Sequence, residues 1–104
     1  MNATLQTVWF EHESIVLERI AIVEEAIDEL IAGGLSDYKR ERARRAAHML
    51  AGSVGMFGFN RSSQAALMLE TAFGRYATPD DVQAHELAEQ LAIMRAEGLE
   101  PPKA

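Results

Sequence analysis

Apolar residues in this chain recur along four successive stretches, mostly three to five positions apart, the spacing of an amphipathic helix rather than the alternation of a strand. The first stretch carries Leu5, Val8, Trp9, Ile15, Ile20, Val23, Ile27 and Leu30 and stops at Gly33-Gly34. Asn2 and Thr4 are candidate caps for a short opening segment, and Ser14 can cap a fresh start after a break near His12. Ser36 caps the second helix, with Asp37 well placed against the helix dipole, and the pattern runs to about Phe57. Asn60 caps the third, whose stripe is Ala66, Leu69, Phe73 and Tyr76. Thr78 as N-cap, Pro79 and Asp81 open the fourth, which carries Val82, Leu87, Leu91 and Met94 and is stopped by Gly98 with Pro101-Pro102. No segment reads as a strand. Helices joined by about two to five residues pack as antiparallel neighbours. The fold class is therefore all-α: an antiparallel up-down-up-down four-helix bundle, with a short extra N-terminal helix if the break at His12 to Ser14 forms.

Composition bounds the rest. A chain of 104 residues that is 48% hydrophobic reads as one domain over residues 1–104. It can bury roughly 60 to 65% of its unfolded surface, enough for one helical core. A complete four-helix core predicts a monomer. There is no cysteine, so neither disulfides nor thiolate metal sites arise. Charges interrupt every apolar run well short of about 18 residues, and nothing resembles a signal peptide. The expectation is a cytoplasmic protein with no membrane attachment. Sixteen acidic against ten basic residues give a formal charge of −6, which argues against nucleic-acid binding.

One stretch breaks the pattern in an informative way. Between Arg44 and Gly58 a single histidine and three glycines interrupt an otherwise helical sequence. At about 100° per residue, Ala43, Ala47, Leu50, Val54 and Phe57 share one stripe, and His48 points roughly 140° from its centre. His48 therefore faces outward. Gly52 and Gly55 follow it by one and two turns on the same side, leaving the imidazole unshielded. Each interior glycine costs about 0.8 to 1 kcal/mol relative to alanine. On a polar face, clearance for an approaching partner, rather than close helix packing, is the expected reason for Gly52 and Gly55, whereas Gly58 reads as a left-handed helix cap.

At these residues the chain resembles the histidine-containing phosphotransfer (HPt) domains of multistep two-component signalling, including the phosphoacceptor domain of chemotaxis kinases. The family pattern of His, any residue, Leu, Lys, Gly, a Gly six residues later and a Leu-Glu pair in the next helix appears as His48, Leu50, Gly52, Gly58 and Leu69-Glu70. The resemblance spans about Val8 to Tyr76, and Ala51 stands where the pattern has Lys. It implies a phosphorelay intermediate, a phosphocarrier without kinase activity of its own, in which His48 accepts a phosphoryl group. The group would pass to or from the Asp of a response-regulator receiver domain, the pathway being fed by a sensor histidine kinase. It also implies that Glu70, about 80° from its helix's apolar centre and so able to reach the neighbouring helix, accepts a hydrogen bond from the unreactive ring nitrogen. The bland alternative for Glu70 is a solvated surface pair. No cofactor is bound in this reading; Mg²⁺ comes with the receiver.

Other groups fill supporting roles. With Lys absent, Arg44 and Arg45 can approach the phosphoryl oxygens, or Arg45 can pair along the helix with Glu41. Met49, Met56 and Leu67 form a candidate apolar docking rim, with Gly52 and Gly55 giving access. Lys39, Arg40, Arg42, Arg44 and Arg45 form a basic cluster that could steer an acidic receiver. Trp9, Phe10, Phe57, Phe59, Phe73 and Tyr76 are assigned to the core and bundle end, and His12 and His85 to the polar surface. No His has Glu three residues before it, so no four-helix metal centre is expected. The competing function is a non-catalytic helical adaptor or dimerisation module that kept the bundle but lost transfer, to which Ala51 is the one pointer.

Overall fold

The first helix sets the length of the molecule. In the computed structural model, which describes residues 3–74 and 81–99, α1 runs unbroken over Ala3–Ile31. At about 1.5 Å per residue, its 29 residues account for the longest dimension of 43 Å. The optional break near His12 does not occur, so no separate leading helix forms. Polar side chains there turn back onto the preceding turn: Thr7 Oγ1 donates to the Ala3 carbonyl and His12 Nδ1 to the Val8 carbonyl, both at 3.1 Å. Trp9 then anchors this end, its ring 5.1 Å from both Phe57 and Phe59. Tertiary packing has outweighed the local cap offered by Ser14. Phe10, about 100° around the helix from Trp9, is turned outward and 74% exposed, against the expectation that it joins the core.

The remaining elements are α2 (Asp37–Met56), α3 (Asn60–Gly74) and α4 (Asp81–Ala96), with no strand among the described residues. Each packs on its chain neighbours and α1 closes the ring against α4, which makes the antiparallel four-helix bundle. No described helix is long and apolar enough to cross a membrane. The predicted caps at Asn2 and Thr78-Pro79, the aromatic Tyr76 and the Pro101-Pro102 stop lie outside the described residues.

The α2 stripe is buried throughout: Ala43, Ala47, Leu50 and Val54 join Ile20, Val23 and Ile27 of α1, Leu69 and Phe73 of α3, and Leu87, Leu91 and Met94 of α4 in the hydrophobic interior, and Phe57 is buried against Trp9 at the bundle end. Each large side chain here contributes about 1.5 to 3 kcal/mol by leaving water. Four buried alanines on α2, at 43, 46, 47 and 51, keep its neighbours close. Its ends are also fixed. Ser36 Oγ accepts from the Lys39 amide at 3.3 Å, and Gly58 takes φ +88° while the Phe59 amide bonds back to the Val54 carbonyl at 3.0 Å, the left-handed cap expected there.

The start of α3 departs from its local signal. Asn60 lies inside the first turn, and the helix is capped from outside by Glu97, beyond the end of α4, whose Oε1 accepts from the Ser62 amide. Burial pushes the Glu97 carboxyl up, but donors from Ser62 and Arg61 outweigh this and hold it below its ordinary value near 4.5. A carboxylate with a depressed folded-state pKa stabilises fully above the unfolded value, and the contribution is lost as pH falls through the folded one. Glu97→Ala is therefore expected to cost about 1 kcal/mol at neutral pH, the usual worth of a helix N-cap. Urea unfolding should show the gap from wild type narrowing in acid; a gap constant down to about pH 3 would exclude the carboxylate as its source.

Candidate functional site

Because α2 buries its alanine and leucine stripe, the opposite edge of that helix, beside α3, carries Glu41, Arg44, Arg45, His48 and Gly52. His48 is 68% exposed, and its Nδ1 lies 2.8 Å from Oε1 of Glu70, which α3 brings across the seam with 24% of its side chain exposed. A carboxylate can only accept, so Nδ1 is the donor of this bond, and in the neutral ring the lone pair is then on Nε2. No hydrogen bond to Nε2 forms among the described residues. The pair foreseen between His48 and Glu70 is thus present as a contact.

The glycines divide. A side chain added at Gly52 would meet nothing within 4 Å, so the space beyond His48 is open. Gly55 is placed differently from the expectation: a Cβ there would stand 3.0 Å from Ser63 Oγ, so its missing side chain serves close packing of α2 on α3. Ser63 also donates to the Ala51 carbonyl at 2.7 Å, and Ala51 itself is buried at this seam. Sequence reasoning missed the Gly55 and Ser63 contact; two small residues on facing helices were its only signal.

The arginines take separate positions. Arg44 forms a two-point pair with Glu41, at 2.9 and 2.7 Å, and its Nη1 comes within 3.9 Å of Glu70 Oε1. The Arg44 hydrogen bonds hold the Glu41 carboxyl at about 2, and the same bonds raise the Arg44 pKa. Arg45 makes the expected pair with Glu41 at a looser 3.4 Å and remains 73% exposed. The wider basic cluster does not form one patch. Lys39 turns to Glu29 and Glu25 of α1, and Arg40 bonds the Phe73 carbonyl and Asp37, which leaves Arg42 and Arg45 facing out. Met49, Met56 and Leu67 are all exposed. Met68 is exposed too, but it sits about 160° around α3 from Glu70 and belongs to another face. Among the described residues no cluster of His, Cys, Asp and Glu is suited to hold a metal ion.

Comparison with known families matches the chain to the Hpt domain over residues 14–97. The chain belongs to the Hpt domain family. The match runs beyond the His48 to Glu70 pattern through α4, and starts after the first turns of α1. No curated protein and no solved structure matches the chain. Membership of the Hpt family gives the chain a histidine phosphotransfer role in two-component signalling, where Hpt domains work with kinases and receivers. In this Hpt domain, the exposed histidine of α2 is His48; His12 and His85 are exposed elsewhere, on α1 and α4.

Proposed function

We propose that His48 is the phosphoacceptor of a phosphorelay intermediate, working as a cytoplasmic, monomeric carrier between receiver domains fed by a sensor histidine kinase. The observation behind this reading is the 2.8 Å contact of Nδ1 with Glu70, which leaves an exposed Nε2. Nε2 donates its lone pair to the phosphorus of an aspartyl phosphate on the receiver. The N–P bond forms as the P–O bond breaks, and the receiver's Asp departs as a carboxylate. No proton leaves the ring. Nδ1–H is retained, the imidazole gains positive character, and the Glu70 carboxylate offsets it.

Reversal of the same step loads a second receiver. Such a loose, in-line transfer depends on positioning and charge more than on covalent help. Mg²⁺ held by the receiver neutralises the phosphoryl oxygens, and this chain adds Arg45, whose guanidinium is exposed one turn before His48. Met49, Met56 and Leu67 supply adaptable apolar contacts around the polar centre, and Gly52 leaves the approach clear.

Incubation with a phosphorylated receiver and Mg²⁺ is expected to put an acid-labile, alkali-stable phosphate on the wild-type chain. Stable receiver binding with no such label, across the receivers of the same genome, would favour the adaptor reading instead.

A further inference from the structure

Arg44 sits between two carboxylates, and only one of them touches the histidine. Its Nε and Nη2 are committed to Glu41. Its Nη1 points toward Glu70 Oε1, the same oxygen that accepts from His48 Nδ1. The stem crosses the seam: Arg44 Cδ lies 3.5 Å from where a Cβ on Gly74 of α3 would stand. The result is a row of alternating charge, Glu41, Arg44, Glu70 and then the imidazole, running from α2 to α3 and back.

This arrangement sets Arg44 apart from Arg45. A guanidinium engaged with Glu41 and facing Glu70 lies on the Nδ1 side of the ring, whereas the phosphoryl group would sit on Nε2, across the ring. We infer that Arg44 is a positioning residue that acts through Glu70, holding the carboxylate where it selects the Nδ1–H tautomer of His48. The inference rests on the phosphotransfer reading for its effect on rate, but its effect on the ring does not.

The physical reason is rotamer freedom. A glutamate on a helix surface can swing to water, and a single neutral donor holds it weakly. A cation beside Oε1 adds an attraction that disfavours the outward rotamers. Without it, Glu70 spends time in solvent and the imidazole populates the tautomer that carries its proton on Nε2. That form has no lone pair to offer the phosphorus. Because Ala51 is uncharged, no other α2 cation stands near this oxygen in the described contacts.

A double-mutant cycle tests the assignment, using the full chain. Arg44→Gln is expected to slow transfer about three- to fivefold in the wild-type background, the size of a partly exposed ion pair. In the Glu70→Ala background the same change is expected to do nothing measurable, because the residue it acts through is gone. Imidazole ¹⁵N shifts of His48 without any receiver should show a gain of the Nε2–H tautomer in Arg44→Gln. That readout is one that mere support of the fold would not move.

Equal slowing in both backgrounds would assign Arg44 to the phosphoryl group directly and overturn the inference. So would an unchanged tautomer ratio. If the wild type takes no phosphate at all, the phosphoacceptor reading fails by itself and the nitrogen shifts still decide Arg44.

Discussion

His48→Gln takes up no phosphate from a phosphorylated receiver under conditions that label the wild type, and it keeps the wild-type unfolding midpoint. Both halves follow from the same geometry. The ring is 68% exposed and, among the described residues, hydrogen-bonds to Glu70 alone, so its removal leaves no cavity and strands no buried donor. Surface changes of this kind stay within about 0.5 kcal/mol. The chemical loss is complete because a carboxamide nitrogen has no available lone pair. Receiver binding is expected to persist, since Met49, Met56 and Leu67 are untouched. The variant therefore separates docking from chemistry. It also decides which histidine reacts: label retained on His48→Gln would move the site to His12 or His85, both exposed on other helices.

The parts of this site that could be read from the residues are those set by one helix at a time. Leu50 and Val54 face in and His48 faces out because all three obey a single period of about 3.6 residues. Glu70 could be placed at the edge of its own stripe by the same rule, and the family pattern supplied its partner. What escaped depends on two helices at once. Gly55 reads as clearance until Ser63 is known to stand opposite it. Asn60 has the chemistry of a cap, yet the Glu97 carboxylate, 35 residues beyond the Ser62 amide it accepts from, takes the position.

Charges were the least legible feature. Five basic residues at the start of α2 look like one field in sequence, but helix geometry spreads them around the cylinder. Lys39 meets the acidic side of α1, Arg40 meets the end of α3, and Arg44 is drawn to Glu41. The Glu41 pair with Arg45 suggested by the four-residue spacing forms at 3.4 Å, but a tighter, two-point pair with Arg44, three residues on, stands beside it. Both spacings place side chains on one face, and of the two arginines it is Arg44 whose stem lies along the α3 seam, beside Gly74.

Leu50→Ala should cost far more stability than any change at the reactive edge. Leu50 lies two residues after His48 and so about 160° around α2 from it, and its side chain is fully buried in the core. It sets the rotation of the helix: with Leu50 locked in the core, His48 has to face away. Truncation removes apolar area and leaves a cavity that the surrounding helices fill only in part, a loss of about 2 to 5 kcal/mol. Against a total of about 5 to 15 kcal/mol for a small domain, that is a large share. The midpoint of thermal unfolding, followed by circular dichroism, is expected to fall by about 10 to 30 °C. Well below the new midpoint, α2 is still held by Ala43, Ala47 and Val54, so His48 should again meet Glu70 and transfer should survive in the cold. A midpoint within a few degrees of wild type would mean that Leu50 does not fix the helix. A cold-stable variant that cannot transfer would mean that it fixes more than the rotation.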